Sequence, residues 1–211
     1  MRLTKYGHAC VRVEHDGGVL VIDPGVFTEP AALDGVDAVL ITHEHADHLN
    51  VDALADALGK RPAVTVHTNP SVVSKLAGLD GVVTAVEAGD SFTAAGIAIR
   101  AYGGLHAEIH PELPRVPNLG FLVNDSVYHP GDSFDVPEDV QIDTLFVPVS
   151  APWLKLAEAV AFVRAVAPRR AFALHDALLS DAGHSITDTS MANLSRCEYA
   201  RLESGTRVTV N

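Results

Sequence analysis

The feature that most constrains this chain is a run of eight residues, Thr42-His43-Glu44-His45-Ala46-Asp47-His48-Leu49. Three histidines and an aspartate fall within six positions of one another. They follow a short apolar run, Asp37 to Thr42, that reads as a buried strand, and they precede a helical pattern at Val51, Leu54, Ala55 and Leu58. Imidazole and carboxylate together suit zinc, and also manganese or iron. On an extended loop, His43 and His45 can point the same way toward one ion, while Asp47 and His48, near the helix start, can turn toward a second. A single zinc takes about four ligands, so a cluster this dense invites more than one metal. Open α/β folds place ligand sites beyond the carboxyl ends of strands, which is where this loop falls.

The remaining sequence narrows the function classes. The 211 residues suit one compact domain spanning 1–211, with no internal repeat or linker. Net charge is −12 and no basic run occurs, so a nucleic-acid partner is disfavoured. No apolar stretch approaches the roughly 20 residues of a membrane span. The first ten residues do not read as a signal peptide, which places the chain in the cytoplasm. Cys10 and Cys197 have no CxxC spacing and read as small apolar residues. Nothing in the sequence compels a particular oligomer.

The periodicities mix strands and helices. Val11, Val13 and then Val19, Val21 predict a hairpin turning at Asp16-Gly17-Gly18. Further strands are predicted at Ala63–Val66, Val82–Val86, Ile97–Tyr102, Leu119–Val123, Ser126–His129, Thr144–Val149, Ala171–Leu174 and Arg207–Val210. Helices are predicted at Ser71–Ala77, at Leu154–Ala167 and somewhere between Ser185 and Cys197. Pro111 to Pro117 is a proline-rich loop, unsuited to a central strand. The mixture implies a layered α/β architecture.

The pattern His-x-His-x-Asp-His resembles the signature of the metallo-β-lactamase superfamily, and further segments align in order. Val19-Leu20-Val21-Ile22-Asp23-Pro24-Gly25 is similar to the strand that precedes the motif. Gly104-Leu105-His106-Ala107 resembles the third ligand segment, and Tyr128-His129-Pro130-Gly131-Asp132-Ser133 the element whose aspartate bridges two metals. Leu174-His175-Asp176 resembles the last histidine. With Tyr6-Gly7-His8-Ala9, the order is similar to the compact branch that includes ascorbate-6-phosphate lactonase-like hydrolases.

The resemblance implies a four-layer αββα sandwich with two divalent metal ions at one edge, zinc ahead of manganese or iron. It implies that His43, His45 and His106 hold one ion, Asp47, His48 and His175 the other, and that Asp132 bridges them. His106 competes with His110, and is preferred because it follows a strand end and two glycines. His175 competes with His184, and is preferred because the run Ala171–Leu174 delivers it. His8 and Asp23 are expected to orient ligands. His110, His129 and His184 are candidates for the mouth of the cleft, His15 and His67 for structural roles, and Trp153 for packing at a helix start.

The implied activity is hydrolysis of an ester, lactone or phosphoester of a small molecule by a water activated between the two ions, with Asp47 and Asp132 as the catalytic carboxylates. No G-x-S-x-G, Walker or G-x-G-x-x-G sequence offers another route. Diiron redox relatives usually carry a carboxylate where His45 stands. A non-catalytic metal-binding or ligand-sensing module of the same fold is the alternative.

Overall fold

The computed structural model describes residues 1–79 and 82–210. Six strands come first: β1 (Arg2–Lys5), β2 (Val11–His15), β3 (Gly18–Ile22), β4 (Ala38–Ile41), β5 (Thr65–Thr68) and β6 (Val83–Ala85). Helix α1 (Val51–Lys60) connects β4 to β5, and α2 (Pro70–Lys75) connects β5 to β6. Next come β7 (Ser91–Ala94), β8 (Ile97–Leu105), β9 (Pro117–Val123), β10 (Val127–His129) and β11 (Thr144–Pro148). The chain ends with α3 (Leu156–Val166), β12 (Arg170–Leu174), α4 (Asp181–Leu194), β13 (Glu198–Ala200) and β14 (Arg207–Thr209).

Among the described residues these strands form two seven-stranded sheets, ordered β14-β1-β2-β3-β4-β5-β6 and β13-β12-β11-β10-β9-β8-β7. Each sheet is antiparallel in one half and parallel in the other: β3 to β6 are parallel, and so are β10 to β13. Side chains alternate across a strand, and that alternation builds the layers. Leu20, Ile22 and Leu40 from the first sheet meet Leu119, Phe121, Val123, Phe146 and Phe172 from the second in an inter-sheet core. Their neighbours Val21, Val39 and Ile41 point outward, under Leu54 and Leu58 of α1 and Val72 of α2. Leu122, Leu145 and Val147 likewise lie beneath Val160 and Val163 of α3 and Met191 of α4. The result is the four-layer αββα sandwich expected from the sequence.

Local signals explain the element ends. The hairpin between β2 and β3 turns through Asp16 and Gly17, both at positive φ (48° and 86°), which suits the right-handed twist of the flanking strands. Asn50 caps α1, its side chain accepting from the Ala53 N–H at 3.1 Å. Pro117 opens β9 as its first residue, the strand position that tolerates a missing N–H. Three strands were not anticipated: β1, β7 and β13, each of four residues or fewer. Helix α4 begins at Asp181 rather than Ser185, because Ser180 caps it by accepting the Gly183 N–H. No described helix is long and apolar enough to cross a membrane.

Candidate metal centre

The carboxyl ends of β3, β4, β8, β10, β11 and β12 meet at one edge of the sandwich, and the seven expected ligands leave four of them, while His8 arrives from the turn after β1. Asp23 follows β3, and Thr42 and His43 follow β4. His106 follows β8, Asp132 leaves the turn after β10, Ser150 follows β11 and His175 follows β12. His45, Asp47 and His48 lie in the turn between β4 and α1, where the His48 and Leu49 N–H groups both donate to the His45 carbonyl at 3.0 and 2.9 Å. The turn precedes the helix; Asp47 and His48 are not yet helical.

Two groups of side chains converge here, each with ligand atoms within 4.8 Å of one another: His43, His45, His106 and Asp132, and His8, Asp47, His48 and His175. The groups touch through Asp132. Its Oδ1 lies 3.1 Å from His48 Nε2, and its Oδ2 lies 3.3 Å from His106 Nε2 and 3.1 Å from His175 Nε2. All seven residues singled out as metal ligands by the sequence are therefore gathered at one place.

The hydrogen bonds behind the imidazoles decide what their inward nitrogens can do. A neutral imidazole carries its proton on the nitrogen that donates. His48 Nδ1 faces Asp23 Oδ2 at 2.7 Å, and that carboxylate can only accept. His106 Nδ1 faces the Ala107 carbonyl and His175 Nδ1 the Ser150 carbonyl, both at 2.6 Å. His43 Nδ1 lies 3.0 Å from Thr42 Oγ1, whose own proton is given to Asp23 Oδ2 at 2.7 Å. In all four, Nδ1 donates and Nε2 is turned into the site, where it offers a lone pair once the ring is neutral. Buried polar atoms are rarely left unpaired. Yet Nε2 of His48, His106 and His175, and Oδ1 of Asp132, are buried without a hydrogen-bond partner. The three imidazole nitrogens face the Asp132 carboxylate across 3.1 to 3.3 Å, a cluster of ligand atoms that cations between them would satisfy.

The backbone is shaped to the same end. Asp23 and His175 both hold positive φ (50° and 59°), a left-handed conformation that costs energy for a residue with a Cβ. Gly25 packs against the Asp47–His48 peptide so closely that any Cβ would collide with the Asp47 carbonyl.

The family model described as "Beta-lactamase superfamily domain" matches residues 2–175. The chain belongs to that superfamily, in its compact metallo-β-lactamase branch. This superfamily member is 37% identical to a Mycobacterium tuberculosis protein over 99% of its own length and 100% of the relative's. It is 30% identical to a protein of Methanocaldococcus jannaschii named a UPF0173 metal-dependent hydrolase, over 62% of this chain and 60% of that one. In fold it is similar to a structure described as a metallo hydrolase from Ignicoccus hospitalis, with a TM-score of 0.77, 19% identity, and coverage of 100% of this chain and 98% of the other.

Several residues of this superfamily member escaped the sequence reading. His8 is not one of them: expected to orient ligands, it reaches Asp47 Oδ2 through Nε2 at 3.2 Å, inside the second group. Its Nδ1 accepts the Ala177 N–H at 3.3 Å, so the proton sits on Nε2 and is donated to Asp47. Asn118 accepts the Asp132 N–H at 3.0 Å and donates to the Pro130 carbonyl at 2.9 Å, fixing the turn that presents Asp132. Trp153 was expected to pack at a helix start; its Nε1 donates to Asp132 Oδ2 at 3.1 Å. His129 does not line the cleft. It is fully buried, donates Nε2–H to the Ala9 carbonyl at 2.9 Å and accepts the Gly131 N–H on Nδ1. His110 is exposed on the proline-rich loop, and His184 Nε2 donates to the Asp176 carbonyl at 3.0 Å.

The electrostatics of the metal-free site are those of paired charges. Burial opposes a proton on His48, but Asp132 and Asp23 outweigh it and hold its pKa well above the imidazole range. Burial also opposes charge on His175, yet Asp132 and Asp47 lift it to about 9. Burial works against ionisation of Asp132, while His48 and His175 keep its carboxyl well below the usual range. His43, fully buried and beside His48, is pushed well below the ordinary value, so it stays neutral.

Proposed function

We propose that this protein is a hydrolase that works with two divalent metal ions, zinc in the first instance and manganese or iron otherwise. His43, His45 and His106 would hold one ion, and Asp47, His48 and His175 the other, with Asp132 reaching both. The observation that carries the reading is the set of buried, partnerless Nε2 atoms of His48, His106 and His175 around Asp132. The hydrolase names of relatives support it.

Two such ions supply an activated water and polarise the oxygen of the scissile bond. The chain's residues do the rest. Asp23, Thr42, Ala107 and Ser150 hold the imidazoles in the tautomer that presents a lone pair inward. Asp47, its side chain one-quarter exposed (25%), is the carboxylate of the set open to the cleft and would orient the attacking water. His8 steadies it by donating to Oδ2.

The loops that bear the site also expose Phe27, Ile109, Leu113 and Leu178. Phe27 stands against His8, ring centroids 5.2 Å apart. An apolar rim supports an ester or lactone with an apolar body ahead of a phosphoester.

Elemental analysis of protein purified without tag or chelator tests the reading, with about two equivalents of metal per chain expected. Turnover of aryl esters, lactones and a phosphodiester follows, with His43→Ala and Asp132→Ala as controls expected to lose it. Zero bound metal after incubation with zinc, manganese and iron would refute the proposal. Two bound equivalents with no turnover of any substrate would favour a ligand-sensing module.

A further inference from the structure

Trp153 is the only tryptophan in the chain, and it stands at the metal centre rather than in a core. It lies in the loop between β11 and α3, closed by a turn in which the Leu154 N–H donates to the Ala151 carbonyl at 3.1 Å. That loop touches the site twice. The Ser150 carbonyl accepts Nδ1–H of His175, and the Trp153 indole donates to Asp132 Oδ2. An indole N–H can only donate, so this contact cannot invert its polarity as a hydroxyl could. The ring is braced from behind by Phe134, at 5.3 Å between centroids, and Phe134 packs on Phe162 of α3. Its other neighbours are His106 at 5.8 Å and His175 at 6.3 Å, one histidine from each ion's set.

Each carboxylate oxygen offers about two acceptor directions. Asp132 Oδ2 faces two imidazole nitrogens of different sets and also the indole. The indole therefore takes one direction of Oδ2, and the remainder would be left to the metal ions. The backbone of Asp132 is fixed separately, by Asn118. Asn118 thus holds the main chain of the residue, and the indole reaches its carboxylate.

We propose that Trp153 is the positioning residue for the carboxylate shared by the two ions, a role that rests on the two-ion reading above. Its N–H holds Asp132 in the rotation that lets both oxygens serve, and the neutral charge of the donor leaves the carboxylate its full negative charge.

The test compares the parent with Trp153→Phe, which keeps a braced aromatic ring and deletes the donor, and with Trp153→Gln, which restores an N–H donor without the ring. Zinc affinity is measured by chelator competition, the visible spectrum is recorded with Co2+ bound, and thermal unfolding is followed for the metal-free proteins. Trp153→Phe should unfold near the parent's temperature, bind zinc about 10- to 100-fold more weakly, as loss of a partner behind a ligand typically does, and show a shifted Co2+ spectrum. Trp153→Gln should recover part of the affinity. In the parent, emission from this single tryptophan should be quenched as Co2+ fills the site, a measurement that survives should Trp153→Phe fail to fold. Unchanged zinc affinity and Co2+ spectrum in Trp153→Phe, with the parent binding normally, would overturn the role of Trp153 alone; so would unquenched emission with Co2+ bound. A parent that binds no metal would overturn both the two-ion reading and this one.

Discussion

Replacing Asp23 by asparagine probes the device on which the centre depends. Asp23 is fully buried and accepts three hydrogen bonds: Thr42 N–H at 2.8 Å, Thr42 Oγ1–H at 2.7 Å and His48 Nδ1–H at 2.7 Å. In Asp23→Asn one oxygen can still accept the Thr42 N–H. The amide NH2 must then occupy the place of Oδ2, facing Thr42 Oγ1 and His48 Nδ1. Thr42 can rotate its hydroxyl and accept. His48 can accept only by moving its proton to Nε2, which removes the lone pair that points toward Asp132 and Asp47. A wrong histidine tautomer leaves geometry intact while disabling the ring. The expected loss of metal affinity is about 10- to 100-fold, or roughly 1.4 to 2.7 kcal/mol. Metal-free stability also falls, because a hydrogen bond to a charged group is worth about 1.5 to 3 kcal/mol. For a chain of this size that shifts thermal unfolding by roughly 3 to 12 °C, at about 2 to 4 °C per kcal/mol. Competition titration with a chromogenic chelator and calorimetry of metal-free protein measure the two effects. Parental metal affinity in Asp23→Asn would refute the tautomer argument, whatever happened to stability.

Two further outcomes are expected. Gly25→Ala should destabilise the protein by about 1 to 3 kcal/mol, as overpacking does, because its Cβ has no room beside the Asp47 carbonyl; an unchanged denaturation midpoint would count against that close approach. The metal-free protein should lose stability as pH rises from 7 to beyond 9. The pKa of His175 is raised to about 9 by Asp132 and Asp47 against the opposing effect of burial, so its stabilising charge is fully present below the ordinary value near 6.5 and disappears as pH passes the folded value. Calorimetry across that range should show a falling unfolding temperature, and a rising one would contradict the charge assignment.

Much of the fold was legible because its long strands are apolar runs with turn residues between them. The alternation of Leu20, Val21 and Ile22, or of Leu145, Phe146 and Val147, already encodes two faces to bury. Strands β1, β7 and β13 were not legible, since each is short and owes its conformation to pairing: β1 lies between β14 and β2, and β7 is held by β8. Helix α4 was displaced because its residues are mostly small and polar, with Gly183 in its first turn and only Thr187 and Met191 buried. In the site, the ligand candidates on one loop were legible from spacing. Trp153 and Asn118 were not, because their contacts to Asp132 cross 21 and 14 residues of sequence, and neither residue type announces a ligand-orienting role.

The eleven histidines make the deeper point. Composition signals metal, but it cannot say which rings offer a lone pair. That is settled by the atom behind each ring. Behind His43, His48, His106 and His175 stands an acceptor, so Nδ1 donates and Nε2 is turned into the site, where that of His43 also meets His45 Nδ1 at 3.1 Å. Behind His8, His129 and His110 stands a backbone N–H, from Ala177, Gly131 and Glu112, so Nδ1 accepts and the proton is placed on Nε2. His8 therefore belongs beside Asp47 as a donor, although its nitrogen is near enough to be counted with the ligands. These partners lie up to 169 residues away in sequence, as with Ala177 and His8. The chemistry of each imidazole is thus a property of the completed sandwich, in which the strand ends bring the right carbonyl, carboxylate or amide behind the right ring.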